Sequence, residues 1–147
     1  MKVRDIMSIN AVKIMKGSTL AEAAELAAIS NASGLVVVDS ENNFIGVLSE
    51  CDLMDIVMPK MSEIIRSGGE LKSSFDLFEE KGKDLAKKSI DGYLIENPVT
   101  VKPDDELLNV AAIMALKKMR RLPVVADGKL VGTVSRGDVC KAVLRRT

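Results

Sequence analysis

The sequence predicts an α/β (α+β) fold made of two β-α-β-β-α repeats. Residues 46–53, Gly-Val-Leu-Ser-Glu-Cys-Asp-Leu, return as residues 132–139, Gly-Thr-Val-Ser-Arg-Gly-Asp-Val, at an offset of 86 residues. Residues 35–38, Leu-Val-Val-Val, return as residues 122–125, Leu-Pro-Val-Val, at an offset of 87, so the second repeat loses one residue in a turn. The repetition of a whole α/β unit indicates two similar halves and two related sites.

The first half of each repeat predicts a strand followed by a helix. Short apolar segments at 11–14 and 99–101 predict a leading strand. The Ser-Thr pair at 18–19 and the Asp pair at 104–105 are N-cap candidates for the helix that follows. Apolar residues then fall at helical spacing: Leu20, Ala23, Ala24 and Ala27, and later Leu107, Val110, Ala111 and Met114.

The second half of each repeat predicts a hairpin and a final helix. The continuous apolar runs at 35–38 and 122–125 are typical of buried strands. A polar turn leads from each run to a second strand, at 44–48 or 130–134. Asp52 and Asp138 are predicted to open the helices that complete the two repeats.

The composition excludes several kinds of chemistry. The chain has 147 residues, with 21 lysines and arginines against 21 aspartates and glutamates. This neutral balance argues against a general nucleic-acid binder, which usually has a basic excess. Without histidine, the chain can form neither a Cys/His zinc site nor a Ser-His-Asp triad. We find no apolar run near the ~18 residues that span a bilayer and no signal segment, and therefore expect a cytoplasmic protein without membrane contact.

The segment at 58–89 belongs to neither repeat 1, at 3–57, nor repeat 2, at 90–143. It is rich in charge of both signs, and some of its apolar residues keep a helical spacing: Leu71, Phe75, Phe78 and Leu85. We expect a linker that includes an amphipathic helix lying on the body of the protein. A separate functional element is the alternative, because long inserts can carry function.

The recurring Gly-x-x-Ser-x-x-Asp motif resembles that of the cystathionine-β-synthase (CBS) domain family, here as a stand-alone tandem pair. The resemblance rests on both copies of the motif, each preceded by a buried strand and a capped helix. It implies two halves packed around a pseudo-twofold axis, with clefts that commonly bind adenine nucleotides or adenosyl ligands. It also implies a regulatory role and a homodimer built through the helices that follow each motif.

The acidic and hydroxyl residues of the motif are the first candidate ligand contacts. Asp52 and Asp138 lie where a strand ends and a helix begins, and a carboxylate there can accept hydrogen bonds from both hydroxyls of a ribose. The hydroxyls of Ser49 and Ser135, beside the amides of a helix N-terminus, suit a phosphate. The alternative is that each aspartate only caps its helix.

Two arginines distinguish the second repeat from the first. Arg120 and Arg121 immediately precede its buried strand, where members of the family often carry basic residues that reach a phosphate. The aligned residues of the first repeat are Ser33 and Gly34. A guanidinium offers fixed, bidentate donors to phosphate oxygens. The alternative is a solvated basic patch.

The two predicted clefts are therefore unequal. The resemblance implies that the cleft of Asp138 is also lined by first-repeat residues near 10–12 and 32–34, which include Val12 and Ser33. Because the arginine pair belongs to the second repeat, we favour the Asp138 cleft for a charged nucleotide. The Asp52 cleft stays an alternative, because Arg120 and Arg121 could contribute to it across the pseudo-twofold interface.

Cys51 and three nearby methionines are not expected to form a site. Cys51 takes the position of Gly137, and no neighbouring cation is evident that would activate its thiol, so we expect a passive cysteine rather than a redox sensor. Met54, Met58 and Met61 are expected to pack in the core or in a dimer interface rather than to bind a metal.

The predicted function is a ligand-sensing regulatory module. It would bind AMP, ADP, ATP or an adenosyl compound, require no other cofactor, and pass a conformational change to an unidentified protein by population shift. An association module with empty clefts is one alternative. A nucleic-acid binder is another, through a local basic patch: Lys117, Lys118, Arg120, Arg121, Arg145 and Arg146. An enzyme is not expected.

Overall fold

The first repeat forms a three-stranded sheet with the order β1-β2-β3. The computed structural model describes residues 1–30, 34–66, 68–95 and 98–145. Strand β1 runs parallel to β2, and β2 runs antiparallel to β3. The elements of this repeat are β1 (Lys13–Met15), α1 (Leu20–Ser30), β2 (Gly34–Val38), β3 (Phe44–Ser49) and α2 (Glu50–Val57).

The predicted cap of α1 is present. The Thr19 hydroxyl accepts a hydrogen bond from the Glu22 N–H at 3.1 Å, which satisfies one of the free amides of the first turn. Leu20, Ala23 and Ala27 are buried, as their helical spacing predicted. They pack with Leu35, Val37 and other residues into the core of the first repeat.

The segment between the repeats forms two helices, α3 (Met61–Arg66) and α4 (Leu71–Leu85). Helix α4 contacts α2, and Leu85 packs against the core of the first repeat. The Lys81 ammonium donates to the Met58 carbonyl oxygen at 3.0 Å and pairs with Glu63 at 3.6 Å. Part of the predicted apolar face of α4 stays exposed in its first turns. The side chains of Leu71 and Phe75 are 88% and 59% exposed.

Among its described residues, the second repeat has two strands where the first has three. Its elements are α5 (Leu107–Lys117), β4 (Arg121–Ala126), β5 (Lys129–Ser135) and α6 (Arg136–Val143). Strands β4 and β5 are antiparallel, with a bulge between Val124 and Val125. The first repeat has a bulge between Val37 and Val38, the residues that align with these two.

The strand predicted at 99–101 is reduced to a single bridge. The Val101 N–H donates to the Pro123 carbonyl oxygen at 3.0 Å, and the Val101 carbonyl accepts from the Val125 N–H at 2.9 Å. The pairing stops there because the next N–H, of Lys102, donates to the Asp105 carboxylate at 2.8 Å. The Asp105 carboxylate is therefore engaged in this turn and does not cap α5. Glu106 stands at the N-cap without a side-chain hydrogen bond.

The segment that begins each repeat, its N-terminal arm, packs on the other repeat, so the two arms are exchanged. The 3-10 turn Val3–Asp5 opens the first repeat, yet Val3 is fully buried in the core of the second. The 3-10 turn Ile90–Tyr93 opens the second repeat, and Ile90 is fully buried in the core of the first. This reciprocal packing gives the pair its pseudo-twofold symmetry.

The recurring glycines allow the exchanged arms to approach the sheets. A Cβ atom on Gly132 would lie 2.5 Å from the Ser8 carbonyl oxygen, a distance that backbone atoms do not tolerate. A Cβ atom on Gly46 would lie 3.3 Å from the Leu94 side chain. The glycine of the motif is thus required by packing of the arm.

The two sheets face each other across a small apolar layer. Val36 and Val38 of the first sheet are buried against Leu130 of the second. The hairpin turns are also joined by hydrogen bonds: Asn42 Nδ2 donates to the Leu130 carbonyl at 2.8 Å, and the Phe44 N–H donates to the Gly128 carbonyl at 2.8 Å. The repeats therefore form one body with a seam between the sheets.

Candidate functional site

Each motif forms a capping box at the start of its helix. In the first repeat, the Ser49 hydroxyl accepts from the Asp52 N–H at 3.1 Å, and Asp52 Oδ2 accepts from the Ser49 N–H at 3.1 Å. In the second repeat, the corresponding distances between Ser135 and Asp138 are 3.0 and 2.9 Å. Both pairs thus satisfy amides that would otherwise lack partners.

The helices begin two residues before the positions predicted for them. Helix α2 starts at Glu50 and α6 at Arg136, with the motif serine as the N-cap and the aspartate in the first turn. The aspartates therefore do cap their helices, which was the alternative to a ligand contact. Each uses Oδ2 for this, and for Oδ1 of Asp138 the described structure gives no hydrogen-bond partner. Capping and ligand contact are compatible.

Arg121 and Ser135 lie on the side of the second sheet that faces the first repeat. They are direct partners across the β4–β5 ladder, so their side chains share one face. The next pair, Leu122 and Val134, points to the opposite face and is fully buried in the second core. Nη1 of Arg121 donates to the Thr133 hydroxyl at 2.9 Å. This bond restricts the guanidinium on the seam side of the sheet.

Arg120 is exposed and contributes its backbone to the start of α6. Its carbonyl oxygen accepts from the Arg136 N–H at 2.9 Å. The neighbouring Met119 carbonyl accepts from Nε of Arg136 at 2.7 Å. The start of β4, where the arginine pair lies, is therefore tied to the helix that carries Asp138.

Asp138 lines a cleft of about 370 Å³ between the exchanged N-terminal arm and α6. Two cations share this cleft: Lys141 on α6, three residues after Asp138, and Arg145, which lies two residues beyond the end of that helix. Asp5 and Ile6 line the opposite wall. Lys141 is not among the predicted contacts, although its spacing from Asp138 along a helix is visible in the sequence. Asp5 gives no such signal, because the exchange of the arms is a tertiary feature.

The corresponding part of the first repeat has no such cations. Asp55 and Pro59 take the positions of Lys141 and Arg145, and Gly92 takes the position of Asp5. On the sheet, Gly34 aligns with Arg121, so the first motif also lacks a guanidinium of its own. The surroundings of Asp52 are thus acidic where those of Asp138 are basic.

The remaining predicted contacts are less informative. Val12 packs against the core of the first repeat, and its carbonyl accepts from the Val36 N–H at 3.3 Å. Its side chain therefore serves the fold, and a contact with a ligand stays a prediction. Ser33 lies outside the described residues. So does Arg146 of the basic patch, whose five other members are exposed.

The described part of the chain offers little support for redox chemistry, metal binding or a membrane span. Cys51 and Cys140 are exposed free thiols. Among residues 1–30, 34–66, 68–95 and 98–145 there is no cluster of three or more His, Cys, Asp or Glu side chains able to hold a metal. In those same ranges no helix combines the length and hydropathy needed to span a membrane. Met54, Met58 and Met61 are exposed by 55%, 47% and 70%, so they are not core residues in this chain.

The sequence matches the family model of the CBS domain twice, at residues 3–59 and 89–145. The chloroplastic CBS domain-containing protein CBSX2 of Arabidopsis thaliana is 32% identical over 139 residues, which cover 90% of this chain and 58% of the relative. The uncharacterized protein MJ1225 of Methanocaldococcus jannaschii is 27% identical over 139 residues, covering 95% of this chain and 41% of the relative. The chain thus spans about half the length of these relatives.

Solved structures have the same fold. CBSX2 in complex with AMP superposes with a TM-score of 0.74 at 27% identity, over 98% of this chain and 96% of that one. CBSX2 in a separate crystal structure gives a TM-score of 0.78 at 26% identity, over 98% and 94% of the two chains. The CBS pair of MJ0100, solved with 5′-methylthioadenosine and S-adenosyl-L-methionine, gives 0.66 at 22% identity, over 97% and 95%, and shows likeness of fold alone.

Proposed function

Because this chain belongs to the CBS domain family and contains two copies of the domain, we propose that it is a regulatory module that binds an adenine nucleotide. The observation that carries the proposal is the cleft of about 370 Å³ in which the Asp138 carboxylate lies beside Lys141 and Arg145. A hydrogen-bond acceptor for a ribose and cations for a phosphate are the groups that a nucleotide requires.

We assign the ribose to Asp138 and the phosphate to Arg121 and Ser135, which pair on the adjoining sheet beside Asp138 and are not among the residues that line the 370 Å³ cleft itself. Oδ2 of Asp138 is engaged with the Ser135 N–H, which leaves Oδ1 to accept a ribose hydroxyl. Arg121 is held in a fixed direction by Thr133, so less side-chain entropy is lost when it binds an anion. Lys141 and Arg145 add positive potential on the helix side of the same carboxylate. That CBSX2 has been solved with AMP supports this choice of ligand class.

The regulatory step would be a change in the relation between the two repeats. The cleft is built from α6 and from the arm that begins the first repeat, so a bound ligand touches parts of both halves. A ligand that prefers one arrangement of these parts shifts the population towards it by its differential affinity. The receivers of such a change would be a second copy of the chain, in a homodimer, and a regulated protein.

The test is calorimetric titration of AMP, ADP, ATP, S-adenosylmethionine and adenosine into the wild-type protein. We expect saturable binding of AMP that exceeds the binding of adenosine, because only AMP carries the phosphate. Absence of binding by all five ligands at millimolar concentration would favour an association module with empty clefts. Equal binding of AMP and adenosine would remove the proposed phosphate contact.

A further inference from the structure

The end of α5 and the start of α6 carry a cluster of exposed cations. Lys117 ends α5, Lys118 follows it as the C-cap, and Arg136 is the first residue of α6. Arg120 immediately precedes β4, and its carbonyl oxygen accepts from the Arg136 N–H at 2.9 Å. All four side chains are exposed. These four residues form what we call the helix-end patch.

The two helices that carry the patch run side by side in opposite directions. The groove between them is lined by Leu107 and Leu108, at the start of α5, and by Val143, at the end of α6. The end of α5 therefore lies beside the start of α6. The hydrogen bond from Nε of Arg136 to the Met119 carbonyl, at 2.7 Å, ties these two ends together. The four cations are thus gathered at one end of the second repeat.

No carboxylate of the described residues neutralises the helix-end patch, since its four members form no ion pair there. Helix α5 itself has no acidic residue, and its N-cap Glu106 stands at the opposite end. At 1.5 Å per residue, about 16 Å of helix separates Glu106 from Lys117, and this exceeds the Debye length of about 8 Å at physiological salt. Asp138 follows Arg136 by two residues, a spacing at which side chains on a helix do not face each other.

The fold of the repeat does not require these charges. The aligned positions of the first repeat carry no cation: Ser30, Asn31, Ser33 and Glu50. Helices α1 and α2 nevertheless form in the same order around the same hairpin. A cluster of like charges repels itself unless an anion offsets it. The helix-end patch is therefore a surface feature of the second repeat that calls for an anionic partner.

We propose that the helix-end patch docks an acidic segment of a partner protein. Ammonium and guanidinium groups pair with carboxylates, and complementary charge selects the partner. Leu116, next to Lys117 and 83% exposed, offers such a segment an apolar contact among the cations. A nucleic acid would leave this leucine unused. It would also find no aromatic side chain on these helices for its bases to stack on, since the three phenylalanines and one tyrosine all precede Leu94.

The inference names a partner class for the regulatory module and rests on the proposed function. Its test uses the full chain and the fluorescence anisotropy of a labelled peptide in which pairs of glutamate alternate with leucine. Lys117→Gln/Lys118→Gln should weaken binding of this peptide at least about threefold, because two exposed ion pairs are lost. Lys87→Gln/Lys88→Gln is the matched control, because it removes an adjacent pair of exposed lysines outside the patch. Its affinity should stay within about twofold of the wild type.

Charge reversal gives a readout that a folding defect cannot produce. Lys117→Glu/Lys118→Glu should lose the glutamate peptide and gain binding of the corresponding peptide with pairs of lysine. Circular dichroism verifies that the variant is folded. Binding of the glutamate peptide to the wild type should weaken as salt is added, because the contact is between exposed charges.

Two results would overturn the proposal: no saturable binding of the glutamate peptide by the wild type, or equal losses in Lys117→Gln/Lys118→Gln and in the control. A single-stranded oligonucleotide of matching charge that binds more tightly than the peptide would also overturn it, and would assign the patch to nucleic acid. AMP binding is judged separately by calorimetric titration, so failure of the docking surface and failure of the nucleotide site are distinguishable.

Discussion

Ser8 and Thr133 exchange both of their backbone hydrogen bonds. The Ser8 N–H donates to the Thr133 carbonyl at 2.8 Å, and the Thr133 N–H donates to the Ser8 carbonyl at 2.9 Å. This pair fastens the N-terminal arm of one repeat to a strand of the other. In the opposite direction, the Ile95 N–H donates to the Val47 carbonyl at 3.1 Å. The exchange makes the two repeats depend on each other for their cores.

Gly132→Ala should destabilise the protein by about 1–3 kcal/mol, because the added Cβ would meet the Ser8 carbonyl at 2.5 Å and displace the arm. Gly46→Ala should cost less, since its nearest neighbour is a side-chain atom of Leu94, which can move. Urea unfolding measures both changes. Gly92→Ala is the control, because a Cβ there meets no atom within 4 Å. Equal losses at Gly132 and Gly92 would contradict the role of the arm.

Asp138→Ala should weaken AMP binding by about 1.5–3 kcal/mol, the range for a hydrogen bond to a charged group. Asp52→Ala should weaken it less, because no lysine or arginine accompanies Asp52 on α2. Each variant loses the equivalent capping box, which should lower the free energy of unfolding by about 0.5–2 kcal/mol. Because this loss is shared, each variant is the stability control for the other. Calorimetry gives the affinities. A larger loss at Asp52 would reverse the order of the clefts.

Arg121→Ala should lower the affinity for AMP by about 1.5–3 kcal/mol and leave the weaker affinity for adenosine nearly unchanged. Added salt should reduce the difference between the wild type and the variant. Thr133→Val tests the support of the guanidinium: it removes the hydroxyl that holds Arg121 and should cause a smaller loss.

Lys141→Ala is the comparison for this measurement, because Lys141 lies on the helix side of Asp138. If Lys141→Ala removes the preference for AMP over adenosine while Arg121→Ala retains it, the phosphate points towards α6 and our assignment is wrong. Equal losses of AMP and adenosine in Arg121→Ala would mean that the arginine only supports the fold of the cleft.

Asp39→Asn should destabilise the protein at neutral pH and have a smaller effect in acid. The side-chain hydrogen bond from Asn43 is the main cause that lowers the pKa of Asp39 below its ordinary value. Because folding lowers this pKa, the ionised carboxylate stabilises the native state at pH values above the ordinary pKa of about 3.9. This contribution is lost as the pH falls below that value. Urea midpoints at pH 7, 5 and 3.5 provide the test.

The control for this titration is Glu41→Gln, which removes a carboxylate of the same turn whose hydrogen bonds in the described structure are made by its backbone alone. Its effect should not follow the same pH dependence. A difference between the wild type and Asp39→Asn that stays constant from pH 7 to 3.5 would show that the ionised form of Asp39 has no special role in this turn.

The sequence by itself determined the features that depend on neighbouring residues. The buried strands at 35–38 and 122–125, the cap of α1 and the serine–aspartate pairs of the motifs were all visible, because continuous apolar runs and capping patterns involve residues at most a few positions apart. The same local reasoning failed at Asp105. Its carboxylate accepts a hydrogen bond from the Lys102 N–H within the turn, and it therefore does not cap α5 as predicted. The reasoning failed again at Phe75, whose helical spacing says nothing about whether a partner surface is within reach.

Only the tertiary structure decided which parts of the chain meet. The exchange of the arms joins Val3 to the second core and Ile90 to the first, across separations that no local pattern encodes. The cleft that unites Asp5 with Asp138 follows from this exchange. The physical reason is that the core of each repeat is incomplete without the other's arm. Burial of these apolar side chains, rather than any local preference, therefore selects the arrangement that forms the site.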